Sequence, residues 1–186
     1  MFDTIQIILW SVTYLLIIVD SLIDHKSPGI PAIAVILNFS WEIVAVMLQF
    51  LNHGTALWGN VLWLGLDTVI FSLFIAHSSK QWKLLIVSVL GGIFLLVPLF
   101  WVDGGQLLTS YICDVVMATA FLYDIYQDRI RRSRLSFFIA ITKCIGDFFA
   151  WQFYKNHMLI VNVLGAVVFL LNLLYIAFFL AKDKTR

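Results

Sequence analysis

The sequence predicts an all-α membrane protein, a bundle of seven transmembrane helices. Of its 186 residues, 62% are hydrophobic and only 12% are charged, and the mean hydropathy is +0.96. Soluble domains carry about 25% charged residues, so this chain lacks the polar surface that a water-soluble fold requires. A net charge of +1 provides no basic surface, and we expect no nucleic-acid partner.

Seven apolar segments follow one another along the chain, each close to the roughly 20 residues that cross a bilayer as a helix. They span 5–23, 31–51, 57–76, 84–102, 106–126, 135–154 and 158–181. Because only short loops separate them, we expect one membrane domain over 1–186. The predicted protein is multi-pass and surrounded by membrane lipid, and the short chain favours a bacterial plasma membrane.

The distribution of lysine and arginine predicts the orientation. Ten of the twelve basic residues fall in loops or in the C-terminal tail on one side of the predicted bundle, whereas the loops of the other side carry only Lys155. Loops rich in lysine and arginine stay in the cytoplasm. The sequence therefore predicts an N-terminus outside the cell and a cytoplasmic C-terminus.

Five ionisable residues fall inside the predicted helices, where a charge costs roughly 2.5–3.5 kcal/mol, so each is a candidate functional residue. They are Glu42, Asp67, Asp114, Lys143 and Asp147. Lys143 and Asp147 are four residues apart on one helix and are expected to pair. The other three acids lack an obvious basic partner, which suits either a stored proton or a bound cation.

Tryptophans accompany two of these acids. Trp63 lies four residues before Asp67, and Trp151 lies four residues after Asp147, so each ring shares a helix face with an acid. Aromatic rings stabilise a nearby cation through their quadrupoles. Simple packing accounts equally well for any single ring, but together they favour a site for a cation.

The similar depths of Asn38, Glu42, Asp67 and Asp147 predict that they converge on one aromatic-lined cavity near mid-membrane, opening toward the outer half. Glu42 is the best candidate for a general acid, because burial favours its protonated form. Asn38 lies one helical turn away and is expected to orient it. Asp67 is a candidate to hold the proton of Glu42 or to take the final one.

Two polar pairs share a 25-residue separation, Glu42 with Asp67 and Asp147 with Asn172. The helices that carry them run in corresponding directions, which predicts a parallel repeat of three helices, a linker helix and three helices. Such repeats occur in transporters. A small proton- or cation-coupled transporter is therefore an alternative function, and a non-catalytic lipid-binding protein is a third.

Three segments carry a resemblance to a known family. Residues 21–44 place a short polar loop before the sequence N-F-S-W-E at 38–42, residues 141–148 read ITKCIGDF, and residues 169–179 read FLLNLLYIAFF. This pattern resembles the integral-membrane terpene cyclases of fungal meroterpenoid and indole-diterpene biosynthesis, which are small seven-helix enzymes.

The resemblance implies an enzyme that protonates a terminal epoxide or alkene of a hydrophobic isoprenoid and cyclises the carbocation without a metal or other cofactor. It places Glu42 in the acid. The second acid of the family falls at Asn172, an amide that cannot supply a proton, so Asp67 or Asp147 is expected to replace it. Because position 172 is already polar, Asn172→Asp is expected to be tolerated. The catalytic candidates are thus Glu42, Asp67 and Asp147, and the substrate-binding candidates are Asn38, Trp41, Trp63, Asp114, Trp151, Asn172 and Tyr175.

Overall fold

Seven α-helices follow one another in the described part of the chain. The computed structural model describes residues 2–26, 28–54, 57–77, 81–103, 106–127 and 134–183. The helices are α1 (Phe2–Asp24), α2 (Ala32–His53), α3 (Trp58–His77), α4 (Trp82–Asp103), α5 (Leu107–Tyr126), α6 (Arg134–Tyr154) and α7 (Leu159–Asp183). Each predicted apolar segment coincides with one helix to within a few residues, so the prediction of seven helices is confirmed.

Among the described residues, six helices are long and apolar enough to cross a membrane, all except α6. In α6, which has 21 residues, Lys143 and Asp147 lower the hydropathy. Bulky apolar side chains cover the outside of the bundle; Phe94, for example, is 79% exposed and Leu159 is 82% exposed. Lipid accommodates such a surface and water does not, so the protein is a multi-pass integral membrane protein.

The helices pack so that α1 contacts α3 and α6, α2 contacts α3, α4 and α5, and α7 contacts α5 and α6. We call the end of the bundle at which α1, α3 and α5 begin, and α2 and α6 end, the N-terminal face. The segment 128–133, which carries three of the arginines behind the orientation prediction, lies outside the described residues. The orientation and the predicted repeat therefore stay predictions.

Two backbone features shape the N-terminal face. The helix α2 ends at His53, and the next residue, Gly54, caps it. The φ of Gly54 is 69°, a left-handed conformation that glycine adopts without steric cost, and its N–H donates to the Phe50 carbonyl. Gln106, just before α5, has a φ of 74°, which is strained for a residue with a side chain. Hydrogen bonds that its side-chain Oε1 accepts from Gln49 on α2 and Asn60 on α3 hold that conformation in place.

The helices α2 and α4 approach closely at Gly92. A methyl group at this glycine would lie 2.6 Å from Ser40 Oγ. Ser40 is fully buried, and its hydroxyl donates to the Ile36 carbonyl at 2.7 Å. The neighbouring Gly91 has no atom within 4 Å of the corresponding position. The contact between the two helices therefore requires a glycine at position 92 and not at 91.

Candidate functional site

A cavity of about 580 Å³ opens at the N-terminal face and extends toward the middle of the bundle. Its wall is formed by α1, α2, α3, α5 and α6. Tyr14 and Met117 lie at its deep end, and His53 and Trp58 lie at its mouth. This volume falls in the range of about 300–1,000 Å³ that is typical of small-molecule sites.

Glu42 lines the cavity one helical turn above its deep end. Its side chain is 2% exposed, and among the described residues no hydrogen-bond partner reaches its Oε2 atom. A buried carboxyl without a partner is far less costly in its neutral form than as a charged group. The position therefore favours a carboxylic acid whose proton is available to a ligand in the cavity.

Asn38 joins three helices one turn below Glu42. Its Nδ2 atom donates to Tyr14 Oη on α1 at 2.6 Å and to Asp67 Oδ2 on α3 at 2.6 Å. Both partners are buried. These two hydrogen bonds fix the Asn38 amide and make the deep end of the cavity polar.

A chain of amide hydrogen bonds ties α2, α3 and α5 together at the mouth. Gln49 Oε1 accepts from the Leu57 backbone N–H at 2.8 Å, and Gln49 Nε2 donates to Gln106 Oε1 at 2.9 Å. Asn60 Nδ2 donates to the same Gln106 oxygen at 3.3 Å. All three side-chain amides line the cavity, so its mouth is polar and held by α2, α3 and α5 together.

Aromatic rings form much of the apolar wall. Trp10, Trp41 and Trp63 line the cavity from three different helices. Trp41 packs against Phe100 with ring centroids 5.8 Å apart, which anchors its indole in the core. Since the faces of such rings stabilise positive charge, the wall suits a cationic intermediate as well as an apolar ligand.

Lys143, Asp147 and Asn172 form a second buried polar cluster, between α6 and α7. Lys143 Nζ lies 2.6 Å from Asp147 Oδ2, and the same oxygen accepts from Asn172 Nδ2 at 2.6 Å. Lys143 Nζ also lies 3.4 Å from Asn172 Oδ1 and 5.1 Å from the centroid of the Trp10 ring. The predicted ion pair between Lys143 and Asp147 is confirmed.

The cavity and this second cluster are adjacent but distinct. Asp114 on α5 lines the cavity and interacts electrostatically with Lys143 and Asp147, neither of which lines it. Glu42 interacts electrostatically with Asp67 and Asp114. The four membrane acids therefore belong to one electrostatic network, and Glu42 and Asp114 are its members that line the cavity. No group of three or more His, Cys, Asp or Glu among the described residues is placed to hold a metal ion.

Half of the ten predicted site residues line the cavity, namely Asn38, Trp41, Glu42, Trp63 and Asp114. The prediction that Asp67 and Asp147 also line it is wrong. Asp67 is turned toward the Asn38 amide, and Asp147 is turned toward its partners on α6 and α7. Neither carboxyl is therefore placed to touch a ligand in this cavity.

The remaining three predicted residues lie in the α6–α7 half of the bundle. Asn172 belongs to the second cluster, and Trp151 Nε1 donates to Asn162 Oδ1 at 2.7 Å. Tyr175 packs against Phe121 with ring centroids 5.6 Å apart. The roles of all ten residues in catalysis and substrate binding stay predictions.

Residues 1–126 match the model of a protein family described as the Pyr4-like transmembrane terpene cyclases. The match covers well over half of the chain and runs from α1 through the end of α5, so it includes four of the five helices that form the cavity wall. No curated protein and no solved structure matches the chain.

Proposed function

The chain belongs to the Pyr4-like transmembrane terpene cyclases, and on that premise we propose that it cyclises an isoprenoid by protonating a terminal epoxide or alkene. Glu42 is the general acid, the reaction passes through carbocations, and no metal takes part. One observation carries the proposal. The Glu42 carboxyl is buried in the wall of an aromatic-lined cavity, and its Oε2 atom has no partner among the described residues.

The chemistry requires a neutral acid in contact with the substrate. Glu42 has no cation among its electrostatic neighbours in the described part of the chain, so its carboxyl keeps its proton before the substrate binds. When an epoxide oxygen accepts that proton, the C–O bond opens and positive charge moves onto the carbon chain. Glu42 is left as a carboxylate, whose charge stabilises the nearby cation.

Asn38 acts in this proposal as a positioning residue. Tyr14 and Asp67 hold its amide from two sides, so Asn38 presents a fixed surface one helical turn from Glu42. We expect this surface to keep the Glu42 side chain turned into the cavity. Asp67 then supports Asn38 and does not contact the substrate.

The tryptophans of the wall stabilise the cation that follows protonation. Trp10 has the Lys143 ammonium 5.1 Å from its ring centroid, so its ring already interacts with one positive charge. Trp41 and Trp63 carry no such cation in the described part of the chain and are expected to stabilise the carbocation more strongly.

We also propose that all seven helices cross a bacterial plasma membrane, with the N-terminal face outside. The charged side chains of Lys143 and Asp147 are buried and paired, so α6 can span the bilayer although it is less apolar than its neighbours. The distribution of lysine and arginine supports the orientation. The cavity then opens toward the outer half of the membrane.

A transporter is the alternative, and one observation favours it. Asn38 and Asp67 are hydrogen-bonded across a separation of 29 residues, and Lys143 and Asn172 are in contact across the same separation. This agreement supports the repeat of three helices, one helix and three helices. Against transport, Lys143 and Asp147 neutralise each other in the second cluster, which leaves no net charge there to carry a coupling ion.

Glu42→Gln tests the proposal, because it keeps the shape of the side chain and removes its proton. Membranes that contain the wild-type protein should convert the terminal epoxide of farnesol or of geranylgeraniol into cyclic products, detected by mass spectrometry after extraction. Glu42→Gln should lower this conversion by at least about 100-fold, the scale of a lost general acid, while expression and folding are unchanged.

Asp124→Asn is the matched control, since it makes the same change from carboxyl to amide on α5 outside the cavity, and it should retain full conversion. If Glu42→Gln converts the epoxide as well as the wild-type protein does, Glu42 is not the general acid. A wild-type protein that cyclises neither the epoxides nor the corresponding alkenes would favour the transporter.

A further inference from the structure

A cyclisation that begins with protonation leaves a carbocation, which becomes a stable olefin only when it loses a proton. Ring closure moves the positive charge along the chain and away from the acid that started the reaction. The final base must therefore line the cavity at a second place, with a lone pair that no hydrogen bond already uses.

Asp114 meets these conditions. Among the described residues, the carboxyl groups that line the cavity are those of Glu42 on α2 and Asp114 on α5. Asp114 is half-buried, and none of the hydrogen bonds among the described residues involves its carboxyl. Its oxygens are thus available to a molecule in the cavity.

The surroundings of these two carboxyls differ in how strongly they disfavour the charged form. Glu42 is 2% exposed, and its electrostatic neighbours are the acids Asp67 and Asp114. Asp114 is half-buried and thus more exposed than Glu42, and the Lys143 ammonium is among its electrostatic neighbours. The Asp147 carboxylate acts in the opposite sense on Asp114 and has the larger effect of the two, whereas no cation acts on Glu42 among the described residues. Of the two neighbouring acids, Asp114 is therefore the one that ionises more readily, and such a difference separates a catalytic acid from a base.

We propose that Asp114 is the base that ends the cyclisation, an inference that rests on the proposed function. In the last step, the C–H bond next to the cationic carbon breaks, its electron pair forms a C=C bond, and the proton passes to the Asp114 carboxylate. Glu42, left as a carboxylate by the first step, takes the proton back from Asp114 through water in the open cavity. Each turnover isomerises the substrate with no net gain or loss of protons.

Asp114→Asn tests this step, because it keeps the size of the side chain and removes the base. With the terminal epoxide of farnesol or of geranylgeraniol, this variant should still consume substrate, but water should capture the cation. The ratio of olefin to alcohol product should fall by roughly 100-fold, the lower end of what a positioned general base contributes. Asp114→Glu retains a carboxyl and should restore olefin formation, and Asp124→Asn should keep the wild-type ratio.

Two outcomes of this experiment would overturn the assignment. One is an unchanged ratio of olefin to alcohol in Asp114→Asn. The other is a folded Asp114→Asn protein that no longer consumes the epoxide, because a base that acts last does not control the first step.

A second measurement needs no substrate. Infrared spectra of the purified protein separate the C=O band of protonated carboxyl groups from the bands of carboxylates. In mildly alkaline buffer, Asp114→Asn should leave the protonated band at its wild-type intensity and weaken the carboxylate bands, whereas Glu42→Gln should weaken the protonated band. A weaker protonated band in Asp114→Asn would refute the assignment of Asp114 as the base, since Asp114 would then hold a proton before the reaction begins. An undiminished protonated band in Glu42→Gln would instead contradict the proposed function.

Discussion

Replacing Lys143 alone should destabilise the protein more than replacing Lys143 and Asp147 together. The two side chains are 6% and 4% exposed and are joined at 2.6 Å. Lys143→Met therefore leaves a buried carboxylate whose only remaining partner among the described residues is Asn172. Lys143→Met combined with Asp147→Leu removes both charges and leaves apolar side chains of similar volume.

The magnitudes follow from these contacts. Breaking a buried ion pair by removing one partner costs about 3–5 kcal/mol of unfolding free energy, whereas apolar replacement of both is roughly neutral. Here the double replacement also removes the hydrogen bond from Asn172, worth about 1 kcal/mol. It further removes the contact between Lys143 and the Trp10 ring, worth about another 1 kcal/mol. We therefore expect a loss of about 2 kcal/mol for the double variant.

Thermal unfolding in one detergent measures this difference. For a protein of this size, the unfolding midpoint falls by about 2–4 °C per kcal/mol, which predicts a decrease of about 6–20 °C for Lys143→Met and about 4–8 °C for the double variant. Lys155→Met, at an exposed lysine that binds Gln152 at 2.7 Å, is the control and should change the midpoint little. Additive effects of the two single substitutions would mean that the groups do not interact, which would refute the reasoning.

Three further predictions concern packing, charge and topology. Gly92→Ala should lower the unfolding free energy by about 1–3 kcal/mol, measured by thermal unfolding, because the new methyl group overlaps a buried serine. Gly91→Ala should change it little, and equal effects of the two substitutions would contradict the close contact between α2 and α4. Asn172→Asp should lower the unfolding midpoint at neutral pH, because it places a second carboxyl within 2.6 Å of the Asp147 carboxylate. The loss should shrink in acid, where the new carboxyl holds a proton. Wild-type stability of this variant at neutral pH would argue against the predicted repulsion. A single cysteine in place of Ile130 on a cysteine-free background should react only with reagents on the cytoplasmic side, and labelling only from outside would invert the orientation.

The sequence predicts the helices well because the requirement behind them is local. A helix that crosses lipid needs roughly 20 apolar residues, so composition along the chain is enough to locate it. The pair of Lys143 and Asp147 is predictable for the same reason, since both partners lie on one helix four residues apart. In contrast, Asn172→Asp looks harmless from the polarity of its position and becomes unfavourable only when its partner across α6 and α7 is known.

A sequence indicates how deep a residue lies in the membrane better than it indicates in which direction the side chain points around the helix axis. Position along a helix gives the depth of Asp67 and Asp147, but the direction of each side chain depends on which face meets a neighbouring helix. Lipid and protein interior are both apolar, so the periodicity that marks a buried face in water is weak here. The prediction that both acids line the cavity is wrong because it takes the depth of each residue into account and not the direction of its side chain around the helix axis.

Contacts between distant helices explain the residues that sequence reasoning missed. The hydroxyl of Tyr14 meets Asn38 across α1 and α2, and no spacing within α1 indicates that contact. Gln49 and Gln106 lie near helix ends, where an amide normally faces water, and only the packing of α2 against α5 joins them. The polar mouth of the cavity is therefore a property of the assembled bundle.

The two polar centres share one spacing and differ in chemistry. In each centre, the second residue lies 4 positions after the first, and the third lies 29 positions after the first. The residues are Asn38, Glu42 and Asp67 in one centre and Lys143, Asp147 and Asn172 in the other. In the first centre the middle acid has no cation beside it among the described residues and lines a cavity, so it can hold and donate a proton. In the second, the lysine neutralises the middle acid. A carboxyl at position 172 would meet that ion pair rather than a substrate, so the proposed acid chemistry depends on the α2 centre alone and does not require an acid on α7.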